Sequence, residues 1–393
     1  MKKDEMTSIE RVRATVKGLP VDRVPVFIWI NAHTGCKLMA EYKPSKHPMR
    51  NALARFLWKR FINGGGMDAS EIWRMLPLSY DVHTFNWANE YSLEFGSDFL
   101  FASHATPWKY VKYKFEDGHI RVVDWFGVKR AIGGVYPDMI DPPIKDIKDA
   151  LNYRFPDTSN EKLYGMFRKC RENYPHASIC AEIWGSQDFT STSMFGTEKF
   201  MIFLVEYPDQ MKRFMSKWTD FQIDILRRSV AAGADTVTIY DDYGYDNRTF
   251  ISTAMWEEFT YPNLKRLVDA AHEAGALAML HSCGYQIPLL DYYVKAEIDM
   301  LQSIQPKAGN DFGEIYEKYG DKITLVTGID IQRGESMTPE ELKAEIIENY
   351  KIGGRNGKHI LATTHEIQYT MPDENMRVIF DTIAEIQKGI HDK

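Results

Sequence analysis

From about residue 177 onward, short apolar runs alternate with longer amphipathic stretches, and this alternation constrains the fold more than any other feature of the chain. The runs cover 177–183, 236–242, 277–284, 300–306, 323–330 and 359–365. Between them, 208–232 and 253–274 read as helices, and 339–352 opens on the helix-start signal Thr338-Pro339-Glu340-Glu341. Strand-sized runs separated by helices are the pattern of a parallel sheet wrapped by helices. Nearer the start, a helix over 7–17 precedes a first strand over 24–30. The expected architecture is an α/β fold, a (β/α)8 TIM barrel, with an N-terminal helical segment and the first strand within 1–60. Residues 108–131 break the pattern: 110–115, a Glu116-Asp117-Gly118 turn and 119–124 predict a β-hairpin insertion. A barrel with insertions reaches 393 residues as one domain, so 1–393 is expected to be a single domain.

Composition then removes function classes. A formal charge of −7 supplies no electrostatic reason to bind nucleic acid or an anionic membrane. No stretch approaches the roughly 20 apolar residues that span a bilayer. Four cysteines, Cys36, Cys170, Cys180 and Cys283, show no disulfide-framework spacing, and no apolar signal region follows the charged start. These features predict a reducing, cytoplasmic setting. Gly64-Gly65-Gly66 and Gly353-Gly354-Arg355-Asn356-Gly357 match no phosphate-loop spacing and read as turns. His272, beside Glu273 within a predicted helix, reads as a surface residue.

The strand ends carry the chemistry. In His281-Ser282-Cys283-Gly284, an imidazole and a thiol two positions apart on extended backbone project to one side and can hold one metal ion. A thiolate sulfur with an imidazole nitrogen suits Zn²⁺. Glu182, Asp241, Asp242, Asp330 and His365 also fall at or just past the ends of their runs, where a β/α barrel builds its active site. Each has an ordinary structural role to compete with, because carboxylates at strand ends commonly cap the next helix. Asp241 or Asp242 can complete a metal sphere, orient a ligating histidine or bind a substrate cation, and Glu182 can act similarly. The Tyr240-Asp241-Asp242-Tyr243-Gly244-Tyr245 cluster, with Trp29, Trp184 and Tyr369 near other strand ends, walls an aromatic or methylated substrate or simply packs in the core.

The order of several segments resembles the uroporphyrinogen decarboxylase superfamily. Glu10-Arg11-Val12 and Gly18-Leu19-Pro20-Val21-Asp22-Arg23-Val24-Pro25-Val26 are similar to its opening helix and first strand. Gly233-Ala234-Asp235, Asp241-Asp242, Tyr261-Pro262-Asn263-Leu264-Lys265, His281-Ser282-Cys283-Gly284, Gly328-Ile329-Asp330 and Pro372-Asp373-Glu374-Asn375 follow in its order. The His281-x-Cys283 pair resembles the zinc-binding pair of the cobalamin-dependent methyltransferase branch. In thiol-alkylating members of that branch a second cysteine follows much later, and in this chain His365 takes its place.

This resemblance implies a zinc site of His281, Cys283 and His365 and a corrinoid as the methyl carrier. Because no H-x-D-x-x-G corrinoid motif is present in the sequence, the corrinoid is expected on a separate partner protein. One thiolate and two imidazoles leave zinc a net +1, a stronger Lewis acid than a two-thiolate site, which favours polarising an ether or hydroxyl oxygen. The expected function is methyl transfer between a small methylated, for example methoxylated aromatic, compound and that corrinoid. Two alternatives accompany it. One is decarboxylation of an eight-carboxylate substrate, which the lack of any arginine between Arg23 and Arg50 disfavours. The other is a non-catalytic binding protein on the same scaffold.

Overall fold

Parallel strands cannot be joined by tight turns, so each needs a crossover, and the amphipathic stretches of this chain supply them. The computed structural model describes residues 5–59, 86–105, 112–116, 119–132 and 138–392. Its strands, in chain order, begin with β1 (Val26–Phe27), β2 (Phe99–Ala102), β3 (Lys112–Glu116), β4 (His119–Val123), β5 (Lys129–Ile132) and β6 (Asp138–Asp141). They continue with β7 (Ser178–Trp184), β8 (Thr236–Tyr240), β9 (Leu277–His281), β10 (Met300–Gln302), β11 (Thr324–Ile329) and β12 (His359–Thr363). Eight form one sheet in the order β1-β12-β11-β10-β9-β8-β7-β2, and every pair in it is parallel. Helices on the outside complete a (β/α)8 TIM barrel.

The barrel closes between β1 and β2 chiefly through Asp98, with the Ser97 hydroxyl accepting the Ile28 N–H at 3.4 Å beside it. Asp98 donates its N–H to the Val26 carbonyl at 2.7 Å, and its carboxylate accepts the Val26 N–H at 2.9 Å. That carboxylate is fully buried, so it needs counter-charge, and Arg11 at 2.6 Å and Arg23 at 2.8 Å provide it. Arg11 stands on the helix Ser8–Val16, which starts at a Thr7–Glu10 capping box. Val12 of the same helix packs against Phe27, Phe99, Met279, Met300, Val326 and Ile360 in the barrel interior. One end of the barrel is thereby plugged, and the rim formed by the strand C-termini is left for a site.

The structure departs from the sequence expectations in four places. The short run Phe99–Ala102 supplies the eighth barrel strand, which the sequence reading passes over. The stretch 253–274 is two helices, Thr253–Phe259 and Tyr261–Glu273, because Pro262 lacks the N–H that would continue the first and fits the opening turn of the second. The run over 300–306 is a strand only to Gln302, since Ser303 turns at φ +81°. The hairpin is the first half of a four-stranded antiparallel sheet, β3-β4-β5-β6. Its residues 108–111 and 117–118, and the Gly64-Gly65-Gly66 turn, lie outside the described residues. No helix among the described residues is long and apolar enough to cross a membrane.

Candidate metal centre and its cavity

Strand β9 ends on His281, and β12 ends two residues before His365, so barrel closure brings together side chains 84 positions apart. The donor atoms of His281, Cys283 and His365 all lie within 4.8 Å of one another. The Cys283 sulfur is 3.5 Å from His281 Nε2. The sequence-predicted trio is therefore a single group able to hold a metal ion.

The protonation of His281 follows from its neighbour. Gln302 stands beside it in register on β10 and is buried. The Gln302 amide nitrogen donates to the carbonyls of Thr363 at 3.1 Å and Thr364 at 3.3 Å, which leaves its oxygen against His281 Nδ1. An oxygen accepts only, so Nδ1 carries the proton and Nε2 keeps its lone pair toward Cys283. Burial pushes the pKa of His281 down, and burial followed by the neighbouring His281 takes His365 to about 4. Both rings are thus neutral and ready to ligate. Burial, then the charge of Asp242, holds the Cys283 thiol well above its ordinary range, so a metal would displace that proton on binding.

The loop after β9 is shaped for this group. Gly284 has φ +79°, and a Cβ there would run into the backbone of Gly244. Ser303, a non-glycine residue in the left-handed region, places its hydroxyl 3.6 Å from the Cys283 sulfur, and the Gln305 amide donates to that sulfur at 3.5 Å.

The two adjacent aspartates separate into different roles. Asp242 accepts the Cys283 N–H at 2.7 Å and lies 3.7 Å from His281 Nε2, beside the donor group. Asp241 turns the other way and accepts the backbone N–H groups of Gln187 and Asp188, holding the turn after β7. It positions that loop at the edge of the same cavity, and burial raises its pKa to about 7. Glu182, whose pKa burial also raises, accepts the Ser103 hydroxyl. Asp330 takes the structural role, accepting the N–H groups of Gln332 and Arg333 and pairing with the Arg333 side chain.

A cavity of about 300 Å³ opens beside the donor group, with His281 and His365 on one side and Trp29, Trp184 and Tyr240 as aromatic walls. Its remaining lining is acidic: Glu182, Asp188, Asp241 and Asp242. Trp29 stacks on His365 at 4.9 Å between ring centres and meets the His281 ring edge-on at 5.4 Å. Two of the predicted aromatic contacts do not line this cavity. Tyr243 is fully buried against Trp256 and Tyr293, because it follows the strand end into the helix layer. Tyr369 packs on His33 and Trp58 in the neighbouring layer. Tyr240, from the cluster read as a wall, does line the cavity, whereas Asp188 and Gln302 are the residues the sequence reading missed. Gln302 sits within an apolar strand run, and Asp188 follows β7 in a loop with no periodic pattern. A second cavity, about 360 Å³, lies around Arg23, Gly96 and Phe380, on the side of the barrel where β1 and β2 begin, and contains none of these residues.

Comparison with known proteins agrees with this architecture. A solved structure described as a methyltransferase from Methanosarcina mazei superposes with a TM-score of 0.69 over 97% of this chain and 99% of that one, at 18% identity. The uroporphyrinogen decarboxylase of Psychromonas ingrahamii is 22% identical over 267 residues, covering 63% of this chain and 71% of that protein. Its counterpart from Coxiella burnetii is 22% identical over 283 residues, covering 67% and 74%. The sequence model of the uroporphyrinogen decarboxylase (URO-D) family matches residues 123–386, more than half of the chain, and the protein belongs to that family.

Proposed function

We propose that this protein transfers a methyl group between a small methylated compound and a corrinoid carried on a separate protein, using zinc held by His281, Cys283 and His365. The convergence of one thiol and two neutral imidazoles at the barrel mouth carries this reading. Tetrahedral zinc with Zn–N near 2.0 Å and Zn–S near 2.3 Å separates nitrogen and sulfur by about 3.5 Å. The His281–Cys283 distance is 3.5 Å, so the pair fits. Three protein ligands leave a position for substrate, as in catalytic rather than structural zinc sites. When bound, such a metal supplies Lewis acidity to a substrate oxygen.

The rest of the work falls to the chain's own side chains. Gln302 keeps the proton of His281 on Nδ1, Asp242 anchors the backbone of Cys283, and Trp29, Trp184 and Tyr240 keep water from one side of the substrate. A decarboxylase acting on a polycarboxylate is less well supported. The cavity carries Glu182, Asp188, Asp241 and Asp242 and, among the described residues, no lysine or arginine in its lining, so this lining repels such a substrate. The fold shared with the Methanosarcina mazei methyltransferase is consistent with methyl transfer.

The test begins with metal analysis of protein purified without chelators. About one zinc per chain is expected, lost in Cys283→Ala while circular dichroism is unchanged. Metal-free wild-type protein refutes the reading. The loaded protein, mixed with a reduced corrinoid carrier and a panel of methylated donors, should then give the methyl–cobalt absorption spectrum.

A further inference from the structure

The cavity beside the donor group combines charge and shape in a way that selects a substrate class. Among the described residues its lining contains carboxylates, aromatic rings and two neutral histidines, and no lysine or arginine. The carboxylates differ in how they are satisfied. Asp241 is occupied by backbone N–H groups, Asp242 by the Cys283 N–H, and Glu182 by the Ser103 hydroxyl. Asp188 has no hydrogen-bond or ion-pair partner for its carboxylate among the described residues, although it faces the same cavity as Asp241 and Asp242. A half-buried, unpaired carboxylate among like charges must either take up a proton or gain a cation, and a bound cation keeps it ionised.

The rings make the second observation. Tyr240 stands between Trp29, at 5.7 Å, and Trp184, at 5.8 Å between ring centres, so three aromatic faces border one space. The Tyr240 hydroxyl is buried with no hydrogen-bond partner among the described residues. Aromatic walls next to carboxylates attract quaternary and other methylated ammonium groups, whose charge is spread over methyl surfaces that an aromatic face can touch. A neutral methoxylated ring would fill the same walls but would leave Asp188 unpaired.

We propose that the methyl donor is a small methylated ammonium compound, its cationic nitrogen held among Trp29, Trp184 and Tyr240 and beside Asp188. This inference rests on the methyl-transfer reading of the same site. In the reaction the C–N bond breaks and its electron pair stays on nitrogen, releasing a neutral amine. The carbon forms its new bond with the electron pair of the corrinoid's Co(I), which is oxidised to methyl–Co(III). Charge balances without a proton, because a quaternary ammonium loses its positive charge as the methyl leaves. An oxygen elsewhere on the donor, as in an amino alcohol or a betaine, is the group that suits the metal side of the cavity. The donor therefore differs from the methoxylated ring that the sequence alone suggests.

The experiment compares choline with its uncharged isostere 3,3-dimethyl-1-butanol by isothermal titration calorimetry on the full-length, zinc-loaded protein. Choline is expected to bind at least about tenfold more tightly, and Asp188→Asn and Trp184→Phe should each erode that preference by about an order of magnitude. Zinc content and the melting temperature, measured on the same samples, show that the variants are folded and loaded. Equal affinity for the two compounds, or no choline binding at millimolar concentration, overturns the inference. So does a choline preference that survives Asp188→Asn in a folded protein. Methyl–cobalt formation from methoxylated but not from N-methylated donors would overturn it while leaving the proposed methyl transfer intact. Choline selectivity without methyl–cobalt formation from any donor would instead remove the methyl-transfer reading and keep the cation site.

Discussion

Gln302→Leu tests the logic of the metal centre without touching a ligand. The glutamine lies buried on β10, and its amide is oriented by the Thr363 and Thr364 carbonyls so that its oxygen faces His281 Nδ1. Leucine has similar reach but no acceptor. The Nδ1–H is then buried without a partner, and the ring gains by moving its proton to Nε2 or by rotating, either of which spoils the ligand. Outer hydrogen-bond partners of metal-binding histidines are worth about 10- to 100-fold in affinity, or roughly 1.4 to 2.7 kcal/mol. The two carbonyls released by the substitution add a stability cost of about 1 to 3 kcal/mol. The two effects are read separately: zinc affinity by competition against a chromophoric chelator at pH 7.5, and stability by urea unfolding of the metal-free protein. The expected outcome is zinc affinity reduced by at least tenfold in a variant that still unfolds cooperatively. Affinity within twofold of wild type would show that Gln302 does not set the His281 tautomer, and the argument from the Gln302 amide would fail.

Two further perturbations probe the barrel that carries the site. His359 is buried on β12 and donates to the Thr327 carbonyl, and burial lowers its pKa from 6.5 to about 4. The unfolded chain therefore binds the extra proton between these values, so stability falls as pH drops from about 6.5 toward 4 and levels off below; the loss is about 3 kcal/mol. His359→Gln, which retains a donor toward Thr327, should show a smaller loss than wild type between pH 7 and pH 4.5 in urea unfolding, and parallel curves would count against the assignment. At Gly284, alanine needs φ +79° and pushes its Cβ into the Gly244 backbone, so the loop carrying Cys283 must shift. Gly284→Ala is expected to weaken zinc binding by more than tenfold, with a modest drop in melting temperature; unchanged zinc affinity would show that the loop tolerates the move.

How much of this was readable in advance depends on whether the residue's role is set by its strand or by its neighbours. Six of the eight barrel strands stand out from about residue 177 onward because each is a run of apolar residues bounded by helical stretches, and β1 follows a recognisable helix. β2 is hidden because Phe99–Ala102 is only four residues long and an insertion separates it from the helices that cross over to β7. The candidate metal trio was visible for two reasons: a residue at the end of a barrel strand has its address fixed by topology, and the family resemblance put His365 where related chains carry a second cysteine. Asp241 and Asp242 show where that logic stops. They are adjacent at one strand end, yet backbone N–H groups of the β7 loop take Asp241, while the Cys283 N–H takes Asp242, and no spacing in the sequence distinguishes them.

The same limit applies to Tyr240 and Tyr243, which the sequence offers together as a wall although only Tyr240 is one. Three positions separate them, and the chain leaves the sheet between the two, so Tyr240 still points into the barrel mouth while Tyr243 packs on Trp256 beneath the helices. This separation changes the chemistry expected of the cavity. With Tyr240 placed between Trp29 and Trp184, the three rings border the unpaired Asp188 carboxylate rather than lying scattered around the rim. Zinc on the proposed donor group would add positive charge beside this acidic, aromatic lining, and the ligand proposed for such a space is itself polarised, with an oxygen at one end and a methylated cation at the other.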